Sequence, residues 1–166
     1  MFIAHLPAGY LLTRFLQRKL KTTKYLWIGL LASILPDFDL PYFYLIDHRQ
    51  TLHHEYWIHL PIFWLSVSFL AVLIFFFTKN RRFLLISTIF LANIFLHLIL
   101  DTFVAGILWL YPFSHVSLRL FTVPARYPFW GENFAFHWTF LVEIAIILWA
   151  FIVLIKSWRR KGESKS

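Results

Sequence analysis

The sequence contains no cysteine among its 166 residues. Disulfide bonds and thiolate metal sites are therefore excluded, and any metal ion must be held by imidazole nitrogens and carboxylate oxygens. Charged residues are also scarce at 14%, compared with about 25% in ordinary soluble domains. Hydrophobic residues make up 60% of the chain and aromatic residues 21%. This composition favours a membrane protein over a soluble globular domain.

Long apolar stretches support the membrane interpretation. About 20 apolar residues are needed to cross the hydrocarbon core as an α-helix. Three stretches of 18 residues contain no lysine, arginine or aspartate: Leu60–Phe77, Phe83–Leu100 and Trp138–Ile155. Two shorter segments are either short spans or re-entrant helices. The first is Met1–Leu12, which continues as a helix through Arg14–Leu20, and the second is Tyr25–Leu35. Pro36 should end the second, because a residue before proline avoids the helical region. We predict an all-α polytopic bundle with about five membrane-embedded helices.

The basic residues predict the topology. Of the 16 lysines and arginines, 13 lie between the two short segments, between the first two long stretches, or after the last one. The positive-inside rule places these regions in the cytoplasm, with the N-terminus outside and external loops at Asp37–His59 and Pro112–His137. This arrangement accounts for the net charge of +8 without a nucleic-acid partner. We expect one domain over residues 1–156 in the cell inner membrane and a basic cytoplasmic tail over 157–166.

Ionisable residues gather towards the outer side of this predicted topology. His97 and Asp101 are four residues apart and share a helix face. They lie 15 and 19 residues beyond Arg82, which is roughly 22 and 28 Å across a core of about 30 Å. Ionisable groups inside an apolar span are costly and normally face a bundle interior or a cavity. One interpretation is a metal-ligand pair; the other is a packing hydrogen bond from His97 beside an interfacial aspartate.

Further candidates lie near the same side. Asp37 and Asp39 follow Pro36 and form an oxygen cluster suited to cations, although aspartate also favours turns. His5 precedes Gly9 at lipid depth, where a lone histidine is more typical of packing. Glu143 lies within the last apolar stretch and needs a partner, so a place in the site or a pairing with arginine is one interpretation.

Three histidines lie within seven residues beside an arginine: His48, Arg49, His53 and His54. They are either amphipathic residues of an interfacial loop or one or two imidazole ligands, with Arg49 clamping an anionic oxygen. Three other histidines lie at membrane boundaries, where an amphipathic ring is comfortable, and we interpret them as structural: His59, His115 and His137.

These motifs, over about residues 1–113, resemble a known family: the LexA-regulated, inner-membrane metal-dependent hydrolases of bacteria and archaea. The motifs are His5-x-x-x-Gly9, Leu35-Pro36-Asp37-Phe38-Asp39, His48-Arg49 with His53, and His97-x-x-x-Asp101 followed by Gly106 and Pro112. The family's glycine after the His-Arg pair is Gln50 here. Its threonine directly before the second histidine is displaced to Thr51, so the choice between His53 and His54 stays open. The order of motifs is also similar to that of zinc-dependent phospholipase C and single-strand nucleases, although their second His-x-x-x-acid pair has no match.

The resemblance implies phosphoester hydrolysis at a metal cluster with two divalent ions. Zinc is the expected metal, and manganese and iron are the alternatives. The implied ligands are His5, Asp37, Asp39, His48, His53, His97 and Asp101, with His54 and Glu143 as additional candidates. Asp37 or Asp39 would bridge the metals or orient water, and Arg49 would clamp phosphate. The depth of the site suggests a membrane lipid or lipid-linked phosphate as substrate.

Two alternatives to an enzyme remain at this point. An ion- or proton-coupled transporter would use the same ligands, but it predicts acidic or histidine residues continuing towards the cytoplasmic half, where the sequence has none. A non-catalytic membrane subunit with a structural metal site would use its polar face to dock a partner. The sequence does not define the oligomeric state.

Overall fold

The computed structural model describes residues 3–163 and contains no β-strand among them. Its helices are α1 (His5–Lys19), α2 (Leu26–Ile34), α3 (Leu40–Leu45), α4 (Pro61–Thr78), α5 (Arg81–Asp101), α6 (Trp130–Ala135) and α7 (Thr139–Glu163). Short 3₁₀ turns cover Pro36–Asp39, His53–Glu55 and Trp57–His59. The predicted all-α fold is confirmed.

Three helices are long and apolar enough to cross a membrane: α4, α5 and the Thr139–Arg159 part of α7. The pair formed by α2 and Pro36–Leu45 counts as a fourth if it is one broken span. At about 1.5 Å per residue, α1 is only about 22 Å long, and it packs inside the bundle against α2, α5 and α7. The five predicted segments therefore correspond to α1, α2, α4, α5 and α7.

Helix α7 continues without a break through Glu163. The predicted boundary between membrane domain and tail, at residues 156 and 157, therefore falls within this helix and stays a prediction. Residues 164–166 of the predicted tail lie outside the described residues.

The bend after α2 differs from the sequence-based expectation. Leu35 keeps helical dihedrals, φ −59° and ψ −40°, so the prediction that it leaves the helical region before Pro36 is wrong. Proline has no N–H to donate to the carbonyl four residues earlier. The chain tightens into the 3₁₀ turn and then enters α3, with an angle of 48° between the two helical pieces. Asp37 and Asp39 therefore lie in the bend itself, not in an open loop.

The surfaces of the long helices explain which of them face lipid. In the most apolar stretch of 18 residues, only 11% of α4 and 17% of α7 are buried, compared with 33% of α5. Large apolar side chains, such as Phe69 and Phe76 on α4 and Trp149 and Phe151 on α7, are more than half exposed. An apolar surface of this extent needs lipid around it, so α4 and α7 lie at the outside of the bundle and α5 nearer its centre.

Helices α1, α2 and α5 approach closely through small residues. A Cβ atom on Gly9 would collide with the Ser33 side chain, and one on Gly29 would collide with Thr13 Oγ1. Small residues at helix contacts are typical of membrane proteins. We call the buried polar side chains along this contact the polar stripe, which consists of Thr13, Gln17, Ser33 and Asn93.

The helix ends divide the bundle into two unlike ends. Contacts of Asp101 with His5 and His59 bring the end of α5 beside the starts of α1 and α4. The end of α2 and the start of α7 lie at the same end, as shown by contacts of Asp37 and Glu143. The connections at residues 20–25 and 79–80 lie at the opposite end. Histidine and aspartate therefore concentrate at one end of the bundle and the basic connections at the other.

Candidate metal centre

Histidine and aspartate side chains from four stretches of chain converge at one end of the bundle. We call them the His/Asp cluster: His5 on α1, Asp37 and Asp39 in the bend, His53, His54 and His59 before α4, and His97 and Asp101 on α5. The side chains of His59 and His97 are fully buried, and those of His5 and Asp101 are nearly so. Asp37, at 29% side-chain exposure, is the most accessible of its members.

His97 is held in one tautomer by the backbone of α2. Its Nδ1 atom lies 2.8 Å from the Ser33 carbonyl oxygen, so Nδ1–H donates to that oxygen. The lone pair of Nε2 then points into the cluster, 3.0 Å from Asp101 Oδ2 and 3.7 Å from Asp37 Oδ1. Nε2 has no hydrogen bond of acceptable geometry. A lone pair facing two carboxylate oxygens is repelled unless a proton or a cation lies between them.

His59 repeats this arrangement with a carboxylate as its orienting partner. Its Nδ1 atom lies 3.1 Å from Asp39 Oδ2, so Nδ1–H donates to that oxygen. The Nε2 atom is buried without a hydrogen bond and lies 4.0 Å from both Asp37 Oδ1 and Asp101 Oδ2. A carboxylate that fixes a histidine tautomer is the usual partner of a metal-ligating imidazole. Asp39 therefore contacts histidines at the edge of the cluster, whereas Asp37 and Asp101 face its centre.

The separations suit a single ion. Zinc–nitrogen and zinc–oxygen bonds of about 2.1 Å put neighbouring tetrahedral donors about 3.4 Å apart. The Nε2 atom of His97 lies 3.0 and 3.7 Å from the two central carboxylate oxygens, and that of His59 lies 4.0 Å from each. The four potential ligands Asp37, His59, His97 and Asp101 offer atoms within 4.8 Å of one another. Imidazole and carboxylate donors together suit zinc, manganese or iron, so the residues fit the predicted class of ion.

A second group of potential ligands overlaps the first. His53, His54 and His59 also offer nitrogens within 4.8 Å of one another. Burial lowers the pKa of His54 to about 3 and also lowers the pKa of His59, so both rings are neutral at pH 7. Burial opposes protonation of His53, but hydrogen bonds to Asp37 and Asp39 raise its pKa to about 9. Because the groups share His59, the number of ions stays a prediction.

His5 completes the buried side of the cluster. Its Nε2 atom lies 3.1 Å from Asp101 Oδ1, and its ring stacks on His97 with centroids 3.9 Å apart. Glu143 on α7 holds the segment before α1, since its Oε2 accepts from the backbone N–H groups of Ile3 and Ala4 at 2.6 and 3.1 Å. Glu143 therefore positions the start of α1 and with it His5.

The predicted ligand His48 lies outside the cluster. Its side chain is exposed, and no described contact joins it to the other candidates. His48 and Arg49 are consecutive left-handed residues, with φ of 51° and 64°, each costing on the order of 1–3 kcal/mol. The turn is fixed by Asp47, whose carboxylate accepts from Thr51 N at 2.8 Å, a hydrogen bond that lowers the pKa of Asp47. This turn directs Arg49, not His48, towards the site.

A cavity of about 360 Å³ opens from the cluster and carries Arg49 on its wall. Its polar lining consists of Asp37, Arg49, His53, His54 and Asp101. Its apolar lining consists of Leu40, Phe43, Tyr44, Val104, Ala105, Trp130 and Phe134. The Arg49 guanidinium lies over the Tyr44 ring, 4.7 Å from its centroid. The cluster is therefore accessible through a cavity that has a cation on its wall.

Sequence reasoning missed His59, which it interpreted as a boundary residue. His59 is fully buried at the centre of the cluster, whereas His115 is exposed and His137 contacts Thr139. One signal was present: His59 directly precedes the Leu60-Pro61 start of α4, just as Asp37 follows the end of α2. A histidine at the start of a span, on the same side as the other candidates, lies at the depth of the site.

One comparison identifies relatives of the chain. The family model described as YdjM inner membrane protein matches residues 1–163. No curated protein and no solved structure matches the chain. The match agrees with the inner-membrane part of the resemblance drawn from the motifs; hydrolase activity and regulation by LexA stay predictions.

Proposed function

The chain belongs to the YdjM inner membrane protein family, and we propose that this inner-membrane protein is a metal-dependent hydrolase that cleaves a phosphoester of a lipid or lipid-linked substrate. The proposal concerns the His/Asp cluster and the cavity beside it. Both belong to one end of the helical bundle, where four stretches of chain bring these side chains together.

One observation carries the proposal: two buried imidazole lone pairs and two carboxylates face the same point. Nδ1 of His97 is bonded to the Ser33 carbonyl and Nδ1 of His59 to Asp39, which leaves both Nε2 atoms facing Asp37 and Asp101. In a buried site such an arrangement is repulsive unless a proton or a cation lies between these groups, and a divalent ion is the cation that two imidazoles and two carboxylates suit. A divalent ion bound there supplies Lewis-acid polarisation of a phosphoryl oxygen and an activated water.

The protein's own groups then have distinct roles. Asp37, Asp101, His59 and His97 hold the ion, with His5, His53 and His54 as further candidates. Asp39 orients His59 and contacts His53, and it is thus a positioning residue. Asp37 is the most exposed carboxylate of the cluster and is suited to accept a proton from the attacking water. Arg49, on the cavity wall, is suited to bind a phosphate oxygen bidentately.

The expected substrate follows from the position of the cavity. The cluster lies where the apolar spans α4, α5 and α7 begin or end, so a lipid phosphate in the bilayer has the same depth. Direct hydrolysis assays of the zinc-loaded protein with phosphatidic acid, a polyprenyl phosphate and a diacyl phospholipid test this step. Release of phosphate or headgroup from at least one is expected; cleavage of soluble phosphoesters alone would refute a lipid substrate.

We further propose that the cluster faces the outside of the cell and the basic connections the cytoplasm. The positive-inside rule favours this orientation. The chain lacks cysteine, so a single introduced cysteine is the only thiol of this protein that a reagent can label. In intact cells a membrane-impermeant thiol reagent should label Gln50→Cys, in the cluster-side loop, and spare Thr23→Cys between α1 and α2. The opposite labelling pattern would place the site on the cytoplasmic side.

Metal analysis separates the enzyme from a partner-docking subunit. After gentle purification without chelator, we expect at least one zinc, manganese or iron ion per chain. Loss of hydrolysis on chelation and its return with metal would support catalysis. Bound metal without hydrolysis of any phosphoester would favour a structural metal site, and the absence of metal would favour a docking subunit.

A further inference from the structure

The cavity beside the His/Asp cluster is lined by two chemically different sets of side chains. One set is Arg49 with carboxylates and imidazoles of the cluster, and the other is aromatic and aliphatic side chains from α3, α6 and the segment after α5. At about 360 Å³ it lies near the lower end of the range for small-molecule sites, about 300–1,000 Å³. It therefore holds a headgroup and the first part of a chain, and the rest of a long chain must lie outside it.

The two helices that carry most of the apolar lining are poorly covered by the rest of the protein. Neither α3 nor α6 has a fully buried residue. Trp130 is 46% exposed although it lines the cavity, and at the end of α3 the side chains of Leu45 and Ile46 are 74% and 64% exposed. Apolar side chains are therefore exposed near the cavity, where a hydrocarbon chain can contact them.

We propose that Trp130 and Phe134 of α6, with Leu40 and Phe43 at α3, bind the first part of a hydrocarbon chain whose phosphate lies between Arg49 and the His/Asp cluster. The inference rests on the proposed function and names its substrate as an alkyl-chain phosphate, either a phospholipid or a polyprenyl phosphate. Charge complementarity sets the direction of the ligand, because the phosphate pairs with the Arg49 guanidinium and the cluster, whereas the aromatic and aliphatic side chains can bind only the hydrocarbon. The chain must leave along the apolar side.

Binding of alkyl phosphates to the full-length, zinc-loaded protein tests the inference. In a non-ionic detergent, affinities for methyl, octyl and hexadecyl phosphate are compared. For the wild type, we expect affinity to rise by at least about tenfold from methyl to hexadecyl, because methylenes are buried against the aromatic wall. The double variant Trp130→Ala, Phe134→Ala should lose most of this gain and bind methyl phosphate as before.

Matched controls exclude loss of fold and partitioning into detergent. Phe113 is another aromatic residue of the segment between α5 and α7 that contains α6. Its side chain is 92% exposed and lines none of the described cavities. Phe113→Ala should keep the full chain-length gain, and Trp130→Phe should keep most of it. Arg49→Ala should weaken all three phosphates and leave hexadecanol binding unchanged. An equal gain in wild type and double variant would overturn the inference.

The outcomes separate this inference from the proposed function. Chain-dependent binding without hydrolysis would leave the binding site standing and overturn the hydrolase. Hydrolysis of phosphoesters with the same KM at every chain length, in the wild type and the double variant alike, would leave the hydrolase standing and overturn the chain site. Stronger binding of farnesyl phosphate than of dioleoyl phosphatidic acid would assign the polyprenyl class, and the reverse would assign the phospholipid class.

Discussion

The bundle contains two buried polar regions, and they are built differently. The polar stripe uses neutral groups that bind one another: the Asn93 amide donates to Thr13 Oγ1 and the Ile89 carbonyl, and that of Gln17 donates to two backbone carbonyls. The His/Asp cluster uses ionisable groups, and the Nε2 atoms of His59 and His97 have no hydrogen bond of acceptable geometry. The stripe is almost fully buried, as are His5, His59, His97 and Asp101 of the cluster, whereas the other cluster residues are partly exposed.

The difference distinguishes a structural contact from a site. In the stripe, Asn93 joins α5 to α1, Gln17 joins α1 to the connection before α2, and only Asn93 Oδ1 is left without a partner. In the cluster, the orienting bonds to Ser33 and Asp39 lie on the far side of each ring and leave the near side facing carboxylates. The cluster therefore needs a proton or a cation between these groups, whereas the stripe needs neither. Substitutions in the cluster should lower metal affinity, whereas substitutions in the stripe should lower stability and leave metal binding unchanged.

The largest effect is expected from His97→Ala. It removes one of the two convergent Nε2 atoms, and we expect metal affinity to fall by more than about 100-fold, since even orienting partners contribute 10- to 100-fold. Asp101→Ala should have a similar effect. Metal titration of the purified variants measures this, with membrane insertion unchanged. Exposed His115→Ala is the control; metal affinity unchanged in the first two variants would refute the assignment.

A smaller loss is expected from Asp39→Ala. The carboxylate orients His59 and lies 3.0 Å from His53 Nδ1, but it does not face the centre. Metal affinity should fall by about 10- to 100-fold, as for other partners of ligating histidines. Asp39→Asn, which can still accept from His59 Nδ1–H, should recover part of the loss. Equal losses in the two variants would indicate that Asp39 binds the ion directly.

Thr13→Val should change stability and leave the site intact. The substitution removes the acceptor for the Asn93 amide, and interhelical hydrogen bonds in membranes contribute about 0.6 kcal/mol on average and up to about 1.7 kcal/mol. Thermal unfolding in detergent should therefore begin at lower temperature, while metal stoichiometry stays that of the wild type. Loss of bound metal in this variant would show that the two regions are coupled.

The smallest effect is expected from His48→Ala. His48 lies in the left-handed turn and is exposed, and no described contact joins it to the cluster. Its removal should change metal affinity by less than about twofold. His53→Ala, a few residues along the same segment, serves as the contrast because its ring contacts Asp37 and Asp39. A larger loss from His48→Ala than from His53→Ala would show that this segment is arranged differently when metal is bound.

Sequence reasoning predicted the parts that depend on periodicity. The apolar runs predicted α4, α5 and α7 to within a few residues, except that α7 extends further. The four-residue spacing of His97 and Asp101 predicted a shared face, and the two side chains lie 3.0 Å apart. Local spacing on a helix fixes such pairs before any tertiary contact forms, so they can be read from the chain alone.

The segment between α3 and α4 could not be predicted in the same way. Its path depends on the left-handed turn at His48 and Arg49 and on two successive 3₁₀ turns. These features carry His48 away from the site and His59 into it, and neither outcome follows from spacing. The bend at Pro36 was predicted as a helix end, but its continuation as a 3₁₀ turn depends on packing against neighbouring elements.

The convergence of two imidazole nitrogens on one cation is tested most directly by X-ray absorption of the protein loaded with one equivalent of zinc. We predict nitrogen and oxygen scatterers at about 2.0–2.2 Å, with multiple scattering from at least two imidazole rings that falls in His97→Ala. A zinc ion surrounded by oxygen alone, with no imidazole signal, would contradict the account.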